Sequence, residues 1–269
     1  MVAPVILFFI MITDDFDYLA PGGRSYTIAS GLIAKLNKRS RALEVACGRG
    51  EASCALAEEF KCRVDAFDID PVMVEYCREK AEKRGLVEHT NFFVKDGRDM
   101  DFGEGKYDLV LAEGGALTYI GREDGVARCA DLLREGRCLA LMDLVYTRED
   151  VPQPVRDAYE EGVYKYNTEL QYRKLLEDNK FEVVFAAMLP QSAWDRYYAK
   201  MRRQVISPRS KATKAFKDSI LREIDVYYNY GGMYSVGYLY LVARLARKKQ
   251  VKPAPKGMRI PLAFSLPRQ

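Results

Sequence analysis

Glu44-Val45-Ala46-Cys47-Gly48-Arg49-Gly50 is the stretch that decides the fold. An apolar strand pattern over 41–47 runs straight into a glycine turn, and a helical pattern follows through Phe60. Glycine lets a backbone come close to a ligand, and the first amides of a helix face it. Eighteen residues past Gly50 stands Asp68, at the end of the next strand pattern, 63–67. A carboxylate there can accept both hydroxyls of a ribose. Asp70 competes for that role, although its place before Pro71 suits a helix N-cap.

Working outward, short apolar runs alternate with helical patterns, which predicts βα units and a parallel sheet. A helix from Pro71 should stop near Gly85. Strands are expected at 91–94, Tyr107–Ala112 and 138–145, with a helix over 123–134 closed by Gly136. Thr168-Glu169-Leu170-Gln171 reads as a capping box. Phe181–Met188 is a sixth strand and 236–244 a seventh. Between these two lie 47 residues, 189–235, far more than a hairpin needs. Trp194, Tyr197, Tyr198 and Met201 repeat at helical spacing, as do Phe216, Ile220, Ile224 and Tyr227, so two amphipathic helices are expected over the sheet.

The composition bounds the function. A chain of 269 residues with 48% hydrophobic and 30% charged residues supports a full core. The net charge of +4 comes from the end: 244–269 holds eight basic residues and no acid, and the body left has 34 basic against 38 acidic residues. The body therefore offers no nucleic-acid footprint. Six cysteines without a C-x-x-C pair read as reduced thiols, which points to a cytoplasmic location. With His89 as the only histidine, His-based metal sites and His-Asp triads are excluded, and no carboxylate triad for a metal is evident. The apolar run 2–12 is too short to span a membrane; it reads as a buried or partner-facing segment, with Met11 as an alternative start.

The third position of the glycine motif is Ser53, not Gly or Ala, which fits dinucleotide binding poorly. Glu44 to Gly50 instead resembles the first motif of class I S-adenosylmethionine-dependent methyltransferases, E-x-x-C-G-x-G. Four further motifs follow in order: Asp68; Asp96-Gly97-Arg98; Lys106 to Gly114; and Arg134 to Ala140. The resemblance implies an α/β Rossmann-like fold, a seven-stranded mostly parallel sheet with an antiparallel last strand, and a helical lid inserted between strands six and seven. Tyr18 to Arg24 with Thr27, and Ala112 to Ala116, are similar to a small-molecule subgroup in which an N-terminal P-G-G segment closes over the cofactor. The implied division is a cover at 1–24, a core at 25–189 and 235–244, a lid at 190–234 and a basic tail at 245–269.

The resemblance also implies S-adenosylmethionine as cofactor, S-adenosylhomocysteine as product and no metal. The implied cofactor set is Glu44, Ala46, Cys47, Gly48, Gly50, Asp68, Ile69, Asp96, Gly97, Arg98 and Glu113, where Glu44 either accepts near the methionine amino group or orders the loop. Glu113 and Tyr230 are the candidate catalytic groups. Gly114, Trp194, Tyr198, Tyr230 and Tyr234 are candidates for the substrate, although rings at helical spacing also serve to pack a lid. No N-P-P-Y or D-P-P-Y follows strand four, which disfavours methylation of nucleobase or glutamine amino groups. The expected acceptor is a small molecule. Rival readings are an aminopropyl transferase, a non-catalytic sensor or partner subunit, and an RNA enzyme anchored by its tail. The oligomeric state stays open, a homodimer included.

Overall fold

Strands β1 (Arg41–Val45) and β4 (Tyr107–Ala112) lie side by side at the centre of the sheet in the computed structural model, which describes residues 18–160, 166–210 and 212–247. The apolar run 2–12 and the tail beyond 247 fall outside these residues. β2 (Arg63–Asp68) and β3 (Thr90–Val94) continue the sheet past β1. β5 (Leu133–Tyr146), β7 (Val236–Leu245) and β6 (Phe181–Met188) continue it past β4, for the order β3-β2-β1-β4-β5-β7-β6. β7 is antiparallel to both neighbours, and the other strands run together. Central parallel strands are covered on both faces, and every residue of β4 is buried. The strand order reverses between β1 and β4, so their carboxyl ends open a crevice.

Helices cover both faces. On one face pack α1 (Arg24–Ile33), α2 (Glu51–Phe60) and α3 (Pro71–Lys83), with α6 (Gln153–Tyr159), α8 (Gln191–Ile206) and α9 (Lys214–Asn229). On the other pack α4 (Ala116–Ile120), α5 (Arg122–Leu132) and α7 (Glu169–Asp178). Asp70 caps α3 through the amide of Val72 at 2.8 Å, and the Thr168–Gln171 capping box opens α7. The two helices expected between β6 and β7 are α8 and α9; a single turn, α10 (Gly232–Ser235), follows them. Among the described residues no helix is long and apolar enough to cross a membrane.

One boundary differs from the sequence expectation. Gly136 does not close a helix: α5 ends at Leu132, and β5 starts at Leu133, opposite Tyr107. The strand then bulges, because Cys138 is the next residue to pair, opposite Leu109. Asp108 explains the bulge. Its buried carboxylate takes Arg134 at 2.9 Å and Arg137 at 3.1 Å, so residues that look like a basic helix end serve a strand.

Candidate active site

Strand periodicity places the first two carboxylates. Glu44 pairs with Leu111, and Glu113 lies two residues further along, so both belong to the face covered by α1 and the α8–α9 pair. Between β1 and α2 the backbone turns through the left-handed region at Ala46 (φ 52°), Gly48 (φ 50°) and Gly50 (φ 66°). At Gly50 a Cβ would stand 2.6 Å from the Cys77 sulfur, so this glycine is required by space as well as by φ. The Cys77 thiol also donates to the carbonyl of Gly48 at 3.2 Å, and Cys47 is buried beside it, its thiol pushed well up by a hydrogen bond with the Cys77 side chain and by burial.

The carboxylates of this edge have distinct partners. Asp68 accepts from the amides of Gly48 (2.8 Å) and Asp70 (3.0 Å), which ties the loop to β2. Burial raises its carboxyl. Glu44 accepts from the Ser53 amide at 2.8 Å and from its hydroxyl, so Ser53 fastens α2 to β1. Burial lifts Glu44 to about 7 against these bonds. Glu113 accepts from the Thr27 hydroxyl at 3.0 and 3.1 Å, and Thr27 meets the Tyr18 hydroxyl at 3.2 Å. Burial, then the charge of Glu44, lift Glu113 to about 8. The same burial, with Glu113 next, drives the Tyr18 phenol up. Thr27 and Tyr18 reach Glu113 from more than 80 residues away in the chain.

Residues 18–23 lie across the crevice. Leu19 stands 3.0 Å from where a Cβ on Gly48 would sit, and it also packs into the small cluster of Met201, Val205 and Ile220 between α8 and α9. Ala20 is next to Gly114, and Gly22 would press a Cβ to 3.1 Å from Met142. The turn after Glu113 is held from beneath. Gly115 donates to the carbonyl of Met142 (3.1 Å) and rests against Asp143. Asp143 is buried with Arg122 (3.4 Å), Thr118 (2.6 Å) and Tyr172, and Arg122 also reaches Tyr172 at 2.8 Å. This network went unseen in the sequence, because its members are spread from 118 to 172.

The other sequence candidates fall in separate places. Asp96 is partly open at the end of β3 and pairs with its neighbour Arg98, which pulls its carboxyl down to about 2. Gly97 is closed under Ile120, where a Cβ would come within 2.4 Å. Ile69 and Gly114 are exposed at the edge. Trp194 and Tyr198, expected to face a ligand, are 3% and 2% exposed and packed among rings. Trp194 stacks on Tyr227 (centroids 4.9 Å), and Tyr198 lies 5.0 Å from the same ring. Their helical spacing reflects packing of α8 on α9. Tyr230 and Tyr234 are 54% and 72% exposed on either side of Gly231 and Gly232. The backbone is tight at Gly232, where a Cβ would meet the Tyr227 Cα at 2.4 Å. All six cysteines are free and buried, and no group of three or more metal-ligating side chains occurs among the described residues.

Comparison with known proteins bears on this geometry. Residues 42–136 match the family model described as a methyltransferase domain. An O-methyltransferase of Penicillium expansum is 27% identical over 119 residues, 44% of this chain and 43% of that protein. A sarcosine/dimethylglycine N-methyltransferase of Halorhodospira halochloris is 26% identical over 200 residues, 71% of this chain and 69% of that protein. The chain spans about half the length of the first curated relatives it matches. A methyltransferase of Thiobacillus denitrificans, solved with S-adenosylhomocysteine, superposes with a TM-score of 0.73 at 17% identity, covering 92% of this chain and 100% of that one.

Proposed function

We propose that this chain, whose residues 42–136 form a methyltransferase domain on a class I methyltransferase fold, moves a methyl group from S-adenosylmethionine to a small-molecule acceptor. The observation that carries the reading is the pair Glu44 and Glu113. Two carboxylates share one face at the point where the strand order reverses, and burial holds both above their ordinary range. Such a pair is costly alone and is relieved by a cation.

The chain's residues fit that nucleotide. Asp68 takes the amides of Gly48 and Asp70, with that of Ile69 beside them, and its two oxygens keep acceptor capacity for a ribose diol. Gly48 and Gly50 give the backbone clearance, and Ile69 with Asp96 to Arg98 offers an edge for the base. Glu44, fixed by Ser53, and Glu113, fixed by Thr27, stand beside the methionine end, where a bound cation would lower both and draw them into the ionised form. Bound there, S-adenosylmethionine supplies an electrophilic methyl on a sulfonium with a good leaving group. Residues 18–23 and the α8–α9 pair exclude water, as cover and lid, and positioning does most of the work. Glu113 orients the acceptor, and Tyr230, Tyr234 and Gly114 line its approach.

Calorimetric titration with S-adenosylmethionine, S-adenosylhomocysteine and NADH tests the reading. Affinities of about micromolar order for both sulfur nucleotides, with none for NADH, support it. NADH binding, or silence from both sulfur nucleotides, refutes it. Methyl release with candidate amines, phenols and acids then identifies the acceptor atom.

A further inference from the structure

The tip where α8 gives way to α9 carries a charge opposite to the rest of the body. From Arg196 to Lys217 the sequence holds eight basic residues and no acid, and the body without this stretch has 26 basic against 38 acidic residues. Arg196, Lys200, Arg202, Arg203, Arg209 and Lys214 are exposed. Helix electrostatics accounts for part of the pattern. Arg203, in the last turn of α8, suits the negative end of the helix dipole. Lys214 and Lys217 do not, because they open α9, whose first turn holds no acid, at the end where the dipole favours acids. Lys217 gives one bond, to the Ser210 carbonyl at 3.3 Å, and that bond needs no charge. The two sides of the tip also differ. Met201, Val205 and Ile220 are buried between the helices, with Leu19 packed against them and reaching on to Gly48. One position after Met201 and Val205, Arg202 and Ile206 turn outward. Ile206 is 60% exposed, and Arg202 and Arg203 stand one turn before it on the same face. No aromatic residue occurs from Ala199 to Ala215.

We infer that the α8–α9 tip docks on an anionic lipid surface, with Arg202, Arg203, Arg209 and Lys214 at the headgroups and Ile206 among the first methylenes beneath them. Basic side chains are drawn to an anionic leaflet, and an aliphatic side chain among them gains by leaving water there. A nucleic acid would use the charges but gain nothing from Ile206, and the tip offers no ring on which a base could stack. The acidic remainder of the body is repelled by the same surface, which orients the molecule tip first. The inference goes beyond methyl transfer and does not depend on it. Through Leu19 the tip adjoins the glycine loop, so docking sets the crevice beside the lipid.

Sedimentation of the full chain with sucrose-loaded vesicles is the test. Vesicles of mixed phosphatidylcholine and phosphatidylglycerol should bind it, vesicles of phosphatidylcholine alone should not, and binding should weaken as salt rises. Arg202→Gln, Arg203→Gln and Arg209→Gln together remove three charges and leave the basic tail in place, so partition should fall by about a hundredfold. Ile206→Ser should lower it by roughly tenfold. All four side chains are exposed, so both variants should keep the parent's urea midpoint and its affinity for S-adenosylhomocysteine, and a lost partition then reads docking rather than folding. Failure to bind either vesicle, equal partition into both, or either variant partitioning like its parent would overturn the inference. So would a single- or double-stranded oligonucleotide that binds through the three arginines, is indifferent to Ile206→Ser and displaces the vesicles at lower concentration than they bind, since the tip would then be a nucleic-acid surface.

Discussion

The loop end of the crevice and its helical end hold their shapes by different means. At the loop end, backbone conformation is fixed: three residues within five are left-handed, and carboxylates take the amides of Gly48, Asp70 and Ser53. At the helical end, side chains do the fixing. Trp194 stacks on Tyr227 with Tyr198 tilted against both, and hydroxyls link Tyr159, Tyr198 and Glu223. The first construction leaves little room for sequence change, whereas the second allows a ring to be exchanged at modest cost. A site of this kind keeps one ligand constant and lets the other vary.

The largest effect should come from Gly50→Ala. Its Cβ would meet the Cys77 sulfur at 2.6 Å and Phe92 at 3.1 Å, at φ 66°. Left-handed strain of about 1–2 kcal/mol and overpacking of about 1–3 kcal/mol add up. Urea denaturation should show a loss of about 2–5 kcal/mol, and nucleotide binding should weaken by more than about tenfold. Gly85→Ala is the control, with the same φ of 66° and nothing within 4 Å. It should cost only about 1 kcal/mol, with binding intact. Equal losses for the two variants would show that clearance under the loop does not matter.

What the sequence made legible follows the same division. The loop end is local: Glu44 to Gly50, Asp68 and the Asp70 cap lie within 27 residues, and strand and turn chemistry identify them. The seven strands follow from apolar runs; the central ones are buried against helices, while the edge strands β3 and β6 keep much of their length exposed. Thr27 and Glu113 are 86 residues apart, and no spacing rule reaches that far. The ring pattern of α8 reveals a helix, yet it does not tell a ring facing α9 from one facing a ligand. Residues up to 134 read as a helix end because Gly136 suits a C-terminal cap; what makes them strand is Asp108, on another strand, which takes Arg134 and Arg137.

Acidity should sharpen the contrast, since the buried carboxylates gather at the loop end. Glu44 at about 7 and Glu113 at about 8 stay protonated in the folded protein over a range where the unfolded chain, near 4.5, has released its protons. Stability should therefore fall as pH rises from about 4.5 to about 8. Asp68 and Asp143, also raised, act in the same direction. Glu113→Gln keeps the Thr27 partner and removes one titrating group. Its denaturation midpoint should improve relative to the parent as pH goes from about 5 to about 8. An unchanged difference would mean that Glu113 is ionised throughout.

Tyr198→Phe probes the helical end. It leaves the ring packed against Trp194 and Tyr227 and removes the hydroxyl shared by Tyr159 and Glu223. The cost should be about 1–2 kcal/mol in thermal or urea denaturation, because buried Tyr159 and half-buried Glu223 lose one bond each. Nucleotide affinity should not move. A fall in affinity as large as that of Gly50→Ala would mean that the two ends are one cooperative unit.

The smallest effect on the fold should come from Arg98→Ala, at an edge belonging to neither end. The Arg98 guanidinium is in open water and touches Asp96, whose carboxyl it holds down at about 2. Exposed pairs of this kind contribute little to stability. Denaturation should be unchanged, and the Asp96 carboxyl should titrate higher, toward its ordinary range, as NMR of that side chain would read. Nucleotide affinity then discriminates. If the Asp96–Arg98 turn holds the base, affinity drops by severalfold while stability stays put; if affinity stays as well, the base is held by Ile69 and the loop alone, and the ligand-facing part of the edge ends at β2.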